Sequence, residues 1–175
     1  TRHDIQLEIA RAGAAPHGQE GPIYPGTCRH LSEDERAARM TGGHAFALRL
    51  DAARARDICG PLAFVDRKRG RVDVDPMRDG DVVVARKDIA TSYHLAVVVD
   101  DALQGVTCVT RGEDLLEATH IHRVLQCLLD LPAPEYAHHA LLFDADGRRF
   151  AKRGKAKTIA ALREEGYAPA EVRKM

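Results

Sequence analysis

Two side chains stand out for the chemistry their spacing allows. Tyr93 comes just before the apolar run at residues 95–99, and Arg111 just after the run at 106–109. Read as neighbouring strands, the two runs end in a phenol and a guanidinium over one pocket. Arginine offers a planar fork that pairs bidentately with a carboxylate, and tyrosine adds a directional hydroxyl. The competing reading is a local ion pair of Arg111 with Glu113 or Asp114. Asp100 and Asp101, which close the first run, suit recognition of an amino group or a turn equally well.

Other groups carry weaker signals. Gly147-Arg148-Arg149-Phe150-Ala151-Lys152-Arg153 concentrates positive charge on a glycine-started loop ahead of a helix, a composition that suits phosphate oxygens or a solvated turn. Neither a G-x-x-x-x-G-K-[ST] nor a G-x-G-x-x-G element is present, so a nucleotide site here needs another scheme. Tyr24 and Cys28 bring a phenolic oxygen and a thiol within five residues, which is half of a tetrahedral zinc shell. His17 and His30 lie nearby without a zinc spacing and read as loop histidines. His138 and His139 precede a strand and suit a ribose, a base or a structural role; His120 and His122 fall near the Arg111 loop with no assigned chemistry. Cys59, Cys108 and Cys127 read as small buried hydrophobes.

The elements that must position these groups follow from pattern and composition. The chain has 175 residues, enough for one domain of ordinary size, and its 26 Lys plus Arg balance 26 Asp plus Glu, so no global basic field announces a nucleic acid. Hydrophobic residues make up 45%, which argues against disorder. Four widely spaced cysteines without a secretory leader predict a reduced, cytoplasmic chain, and no apolar run approaches the roughly 20 residues needed to span a bilayer.

Helical spacing covers residues 4–12, and Ser32 with Glu35 reads as a capping box opening a second helix. The Gly/Pro-rich stretch between them is too punctuated for regular structure. Strands are predicted at 44–50, within 62–87 as a small antiparallel insertion, at 95–99, at 106–109 and at about 139–143. A helix carries Leu115, Ala118, Ile121, Leu125 and Leu128 on one face, another spans about 156–165 before Gly166, and Pro169 starts a short one. This is an α/β grammar, in which ligands collect at the carboxyl ends of strands.

The block YHLAVVVDDALQGVTCVTRGEDLLEAT at 93–119 resembles the glutamyl-tRNA synthetase superfamily, a class I synthetase group. With TRHDI at residues 1–5 and IYPGTCR at 23–29, the chain is most similar to the queuosine-directed branch, which lacks the anticodon-binding domain. The resemblance implies the C-terminal portion of a class I Rossmann-like catalytic domain: a partial insertion region with short antiparallel strands at 1–87, and the second half of the catalytic domain at 88–175. It implies that Tyr93 and Arg111 bind glutamate. Arg149-Phe150-Ala151-Lys152-Arg153 takes the place of the KMSKS loop, with Lys152 as the catalytic lysine that meets ATP; Arg149 and Ala151 depart from that pattern. Tyr24 and Cys28 match two zinc ligands, and the other two, with the HIGH signature, belong upstream of Thr1.

The implied cofactors are ATP, Mg²⁺ and Zn²⁺. The implied partners are L-glutamate and queuosine-containing tRNA(Asp), with no membrane and a monomeric state. The alternatives are the catalytic domain of an ordinary glutamyl-tRNA synthetase and a catalytically inactive tRNA-binding paralogue.

Overall fold

The computed structural model describes residues 17–18, 21–42, 46–86, 91–141, 143 and 158–174. The expected helix at 4–12 and the basic loop with Arg149, Ala151 and Lys152 lie outside these residues. The chain divides into two units, Thr1–His138 and His139–Met175.

In the first unit, β1 (His17–Gly18) pairs antiparallel with β2 (Gly21–Pro22), inside the stretch expected to be irregular. A ladder this short needs only backbone hydrogen bonds and no side-chain periodicity. Helix α1 (Glu33–Thr41) starts at the predicted capping box: Ser32 Oγ accepts from the Glu35 N–H, and the Glu35 carboxylate accepts from the Ser32 N–H. Strand β3 (Ala47–Arg49) follows, then α2 (Ala52–Cys59), whose N-terminus is capped by Asp51. Strands β4 (Ala63–Asp66) and β5 (Gly70–Asp73) form an antiparallel hairpin, and β6 (Val83–Arg86) pairs antiparallel with β3.

The run at 95–99 is helical rather than a central strand. It lies within α3 (Tyr93–Leu103), where Ser92 Oγ accepts from the Leu95 N–H at 3.3 Å and the Ser92 N–H reaches Val84 O at 2.9 Å. Continuous apolar character does not separate a buried strand from a buried helix. Here the N-cap and the i, i+4 burial of His94 and Val98 decide for the helix.

Strand β7 (Cys108–Gly112) runs through a 3₁₀ turn at Glu113–Leu115 into α4 (Ala118–Leu128), and β8 (Glu135–His139) follows. β8 starts four residues before the expected strand because its inward side chains are Tyr136 and His138, not the apolar residues that follow. The main sheet runs β5-β4-β8-β7, with Asp66 paired to Tyr136 in the parallel step between β4 and β8. The β4–β5 hairpin is thus one edge of the sheet that carries Arg111. Ala55, Val82, Ile121 and Val124 form the core, lined by Leu50, Leu62, Val74, Val84 and Leu128.

In the second unit, Thr158 caps α5 (Ile159–Glu164), Gly166 follows at φ +90°, and Pro169 opens α6 (Pro169–Val172). The stop before Gly166 and the start at Pro169 agree with the sequence, while the helix opens at Ile159 rather than at about 156. Among the described residues no helix is long and apolar enough to cross a membrane.

Candidate functional site

Arg111 sits on β7, and its guanidinium is held by three side chains from α4 and β8. Nε donates to His138 Nε2 at 3.1 Å, Nη1 to His122 Nδ1 at 3.1 Å and Nη2 to Thr119 Oγ1 at 2.6 Å. The Tyr136 ring faces its Cζ at 5.3 Å and stacks on His138 at an interplanar angle of 6°. Of the two acids in the competing ion-pair reading, Glu113 turns to Arg69 instead, at 3.3 Å. Strand β7 supplies the guanidinium, while one face of α4 supplies Thr119 and His122 three residues apart, as helical spacing requires.

Behind this group stands Asp66, the last residue of β4, with no exposed surface. Its Oδ1 accepts from the Lys68 and Arg69 N–H groups, both at 2.9 Å, and Oδ2 contacts His138 Nδ1 at 2.6 Å and the His138 backbone N–H at 3.3 Å. Burial pushes the Asp66 carboxyl up, but the His138 ring and these backbone N–H groups outweigh it and bring it down to about 2. Burial lowers His138, opposed by the Asp66 hydrogen bond and reinforced by Arg111. Burial, then Arg111, His94 and His138, lower His122 to about 3. Asp101, in α3, is raised by burial and drawn back by Arg111.

Tyr93 is the first residue of α3, half exposed, with its ring centroid 5.8 Å from that of His122 and 5.6 Å from that of His94. The structure therefore brings both Tyr93 and Arg111 into contact with one imidazole, that of His122. A helix start and a strand position them, not two strand ends. Asp100 and Asp101 are within the helix.

Tyr24 and Cys28 also come together: Tyr24 OH accepts from the Cys28 N–H at 2.7 Å, and the Arg49 guanidinium covers the Tyr24 ring at 4.3 Å. Burial pushes the Tyr24 phenol up. Tyr24 and Cys28 offer one oxygen and one sulfur, two of the four ligands that a tetrahedral zinc needs, and among the described residues no group of three or more His, Cys, Asp or Glu converges on a metal position. Cys59, Cys108 and Cys127 are half-buried rather than fully buried, and Cys28 is exposed.

Sequence reasoning missed Asp66 and Thr119, and assigned His122 and His138 no role beside Arg111. One signal was available for Asp66: an Asp ending a strand before a basic turn commonly caps that turn with its carboxylate.

Residues 4–175 match the family described as tRNA synthetases class I (E and Q), catalytic domain. The Glutamyl-Q tRNA(Asp) synthetase of Rhodobacter capsulatus is 44% identical over 183 residues, covering 100% of this chain and 64% of that protein. The protein of the same name from Nocardia farcinica is 47% identical over 167 residues, covering 94% of this chain and 50% of its own length. The chain thus spans between half and about two thirds of these relatives. A crystal structure of a glutamate tRNA ligase from Elizabethkingia meningosepticum, in complex with its amino acid, superposes with a TM-score of 0.66 at 24% identity, covering 86% of this chain and 30% of that one, and shows the same fold. With an α/β sheet carrying Arg111 and a family match over nearly its whole length, the chain belongs to the class I tRNA synthetase (E and Q) catalytic-domain family.

Proposed function

We propose that this chain is part of an ATP-dependent ligase, cytoplasmic and monomeric, that activates glutamate and transfers it to the queuosine base at the wobble position of tRNA(Asp). The observation that carries the reading is the setting of Arg111. Its three side-chain partners, His138, His122 and Thr119, are all uncharged acceptors. They orient the guanidinium without neutralising it, and they use three of its five N–H groups. A fixed cation with donors to offer suits an anionic substrate, whereas a structural ion pair would already have cancelled the charge. The identity to two relatives named Glutamyl-Q tRNA(Asp) synthetase supports the choice of glutamate and of this tRNA.

In this reading Arg111 and Tyr93 hold the glutamate carboxylate that does not react. The other carboxylate attacks the α-phosphorus of ATP, forming a mixed anhydride and releasing pyrophosphate. Lys152 would offset the charge that develops there, and Mg²⁺ would supply further positive charge. A hydroxyl of the queuosine cyclopentene-diol then attacks the activated carbonyl, forming an ester and releasing AMP. No side-chain nucleophile is needed; the protein aligns reactants and stabilises charge. Tyr24 and Cys28 would supply two ligands of a structural zinc site, and no chemical step passes through it.

The test supplies full-length protein with ATP, Mg²⁺ and radiolabelled glutamate, and offers queuosine-containing tRNA(Asp), the same tRNA without queuosine, and tRNA(Glu). Label on the queuosine-containing tRNA alone is expected. Charging of tRNA(Glu) would make the protein an ordinary glutamyl-tRNA synthetase, and no label on any of the three would make it a non-catalytic binding protein.

A further inference from the structure

Arginine donates hydrogen bonds and never accepts them, so each imidazole nitrogen that Arg111 touches must offer a lone pair. This fixes the proton on both rings. His138 accepts at Nε2, so the neutral ring carries its proton on Nδ1, pointing at Asp66 Oδ2 2.6 Å away. His122 shows the opposite pattern: it accepts at Nδ1, carries its proton on Nε2, and donates to His94 Nδ1 at 3.1 Å. Asp66 has little freedom to reorient, because the N–H groups of Lys68, Arg69 and His138 hold its carboxylate to the β4–β5 turn and to β8.

We propose that Asp66 and His138 are positioning residues for Arg111: the carboxylate holds His138 in its Nδ1–H form, and that ring in turn fixes the orientation in which the guanidinium meets the substrate carboxylate. The inference rests on the reading of Arg111 as the glutamate-binding group. A proton on His138 Nε2 would set N–H against N–H at 3.1 Å and turn the guanidinium away. An unanchored neutral imidazole has two tautomers to choose from, and only one accepts from Arg111. The charged, titratable and polar groups facing His138 are Asp66 and Arg69 from the β4–β5 hairpin, Arg111 from β7, Thr119 and His122 from α4, and Tyr136 from its own strand. Asp66 is the one that accepts its proton.

Two measurements on full-length protein test this. Long-range ¹H–¹⁵N correlation spectra at neutral pH should show His138 as the Nδ1–H tautomer and His122 as the Nε2–H tautomer; an Nε2–H or doubly protonated His138 overturns the proposal. Glutamate-dependent ATP–pyrophosphate exchange should then separate two substitutions. His138→Asn keeps a donor toward Asp66 but loses the acceptor for Arg111, and should raise KM for glutamate about tenfold with kcat and KM for ATP held. His138→Gln places an amide oxygen near the ε position and should recover most of that loss.

Unchanged KM for glutamate in both variants, or equal rises for glutamate and ATP, would overturn the proposal. If His138→Asn does not fold, the tautomer measurement on the wild-type protein decides: an Nε2–H or doubly protonated His138 overturns the proposal. Wild-type protein that shows no exchange refutes the glutamate reading instead, and the tautomer measurement still decides the positioning.

Discussion

Lowering the pH from 7 to 5 should destabilise the fold through His122. The ring is nearly fully buried and held neutral, with its pKa lowered to about 3 by burial, Arg111, His94 and His138. In the unfolded chain a histidine titrates near 6.5, so between about pH 6.5 and 3 the unfolded state binds a proton that the folded state does not. Stability is therefore complete above the unfolded value and falls with pH at about 1.4 kcal/mol per unit for this one group. Between pH 7 and pH 5 the loss comes to about 2 kcal/mol.

His138 and His120 are also lowered and act with the same sign, so the wild-type slope contains more than His122 alone. The variant that isolates it is His122→Asn, whose amide oxygen can still accept from Arg111 but which does not titrate. Urea denaturation of the full-length protein followed by far-UV circular dichroism at pH 7, 6 and 5 gives the slope for each protein. The variant should lose about 2 kcal/mol of the wild-type pH dependence. An identical slope in the two proteins would refute the assignment of a buried, neutral His122.

Two further outcomes follow from local geometry. Gly80 has φ +61°, and a Cβ there would meet Ile23 Cγ2 at 2.6 Å, whereas a Cβ at Gly70, φ +76°, meets open space. Gly70→Ala should cost about 1–2 kcal/mol in chemical denaturation for the backbone alone, and Gly80→Ala about 2–4 kcal/mol; equal losses would contradict the close approach of Ile23. Tyr93→Ala removes a half-exposed ring lying against His122, and should raise KM for glutamate several-fold while shifting the melting temperature by only about 2–4 °C. Unchanged KM would remove Tyr93 from the site.

What could be read directly from the chain was local. The capping box at Ser32 and Glu35, the apolar face of α4 and the punctuation by Gly166 and Pro169 each depend on residues within one or two turns, and each appears in the structure. The run at 95–99 reads as a strand because five consecutive apolar residues carry no period that separates strand from helix; its N-cap, Ser92, is the deciding residue. The strand β8 was placed late because Tyr136 and His138, both polar at one end, occupy buried positions that an apolar pattern does not mark.

The candidate site divides in the same way. Tyr93 and Arg111 were visible as residue types at the edges of apolar runs. Their mutual placement through His122 depends on packing between α3 and α4, and the pairing of β4 with β8 brings Asp66 within reach of His138, 72 residues away. No short-range pattern encodes a contact of that separation. Tautomers are further removed, since they appear only once every donor and acceptor around the rings has been counted.

The central claim is that the guanidinium of Arg111, oriented by His138, His122 and Thr119, binds glutamate for activation. Glutamate-dependent ATP–pyrophosphate exchange by full-length Arg111→Lys, measured at limiting glutamate, tests it most directly, because lysine keeps the charge but loses the planar fork. The account predicts a rise in KM for glutamate of at least about 30-fold, with KM for ATP unchanged. Exchange at the wild-type rate under limiting glutamate would contradict it.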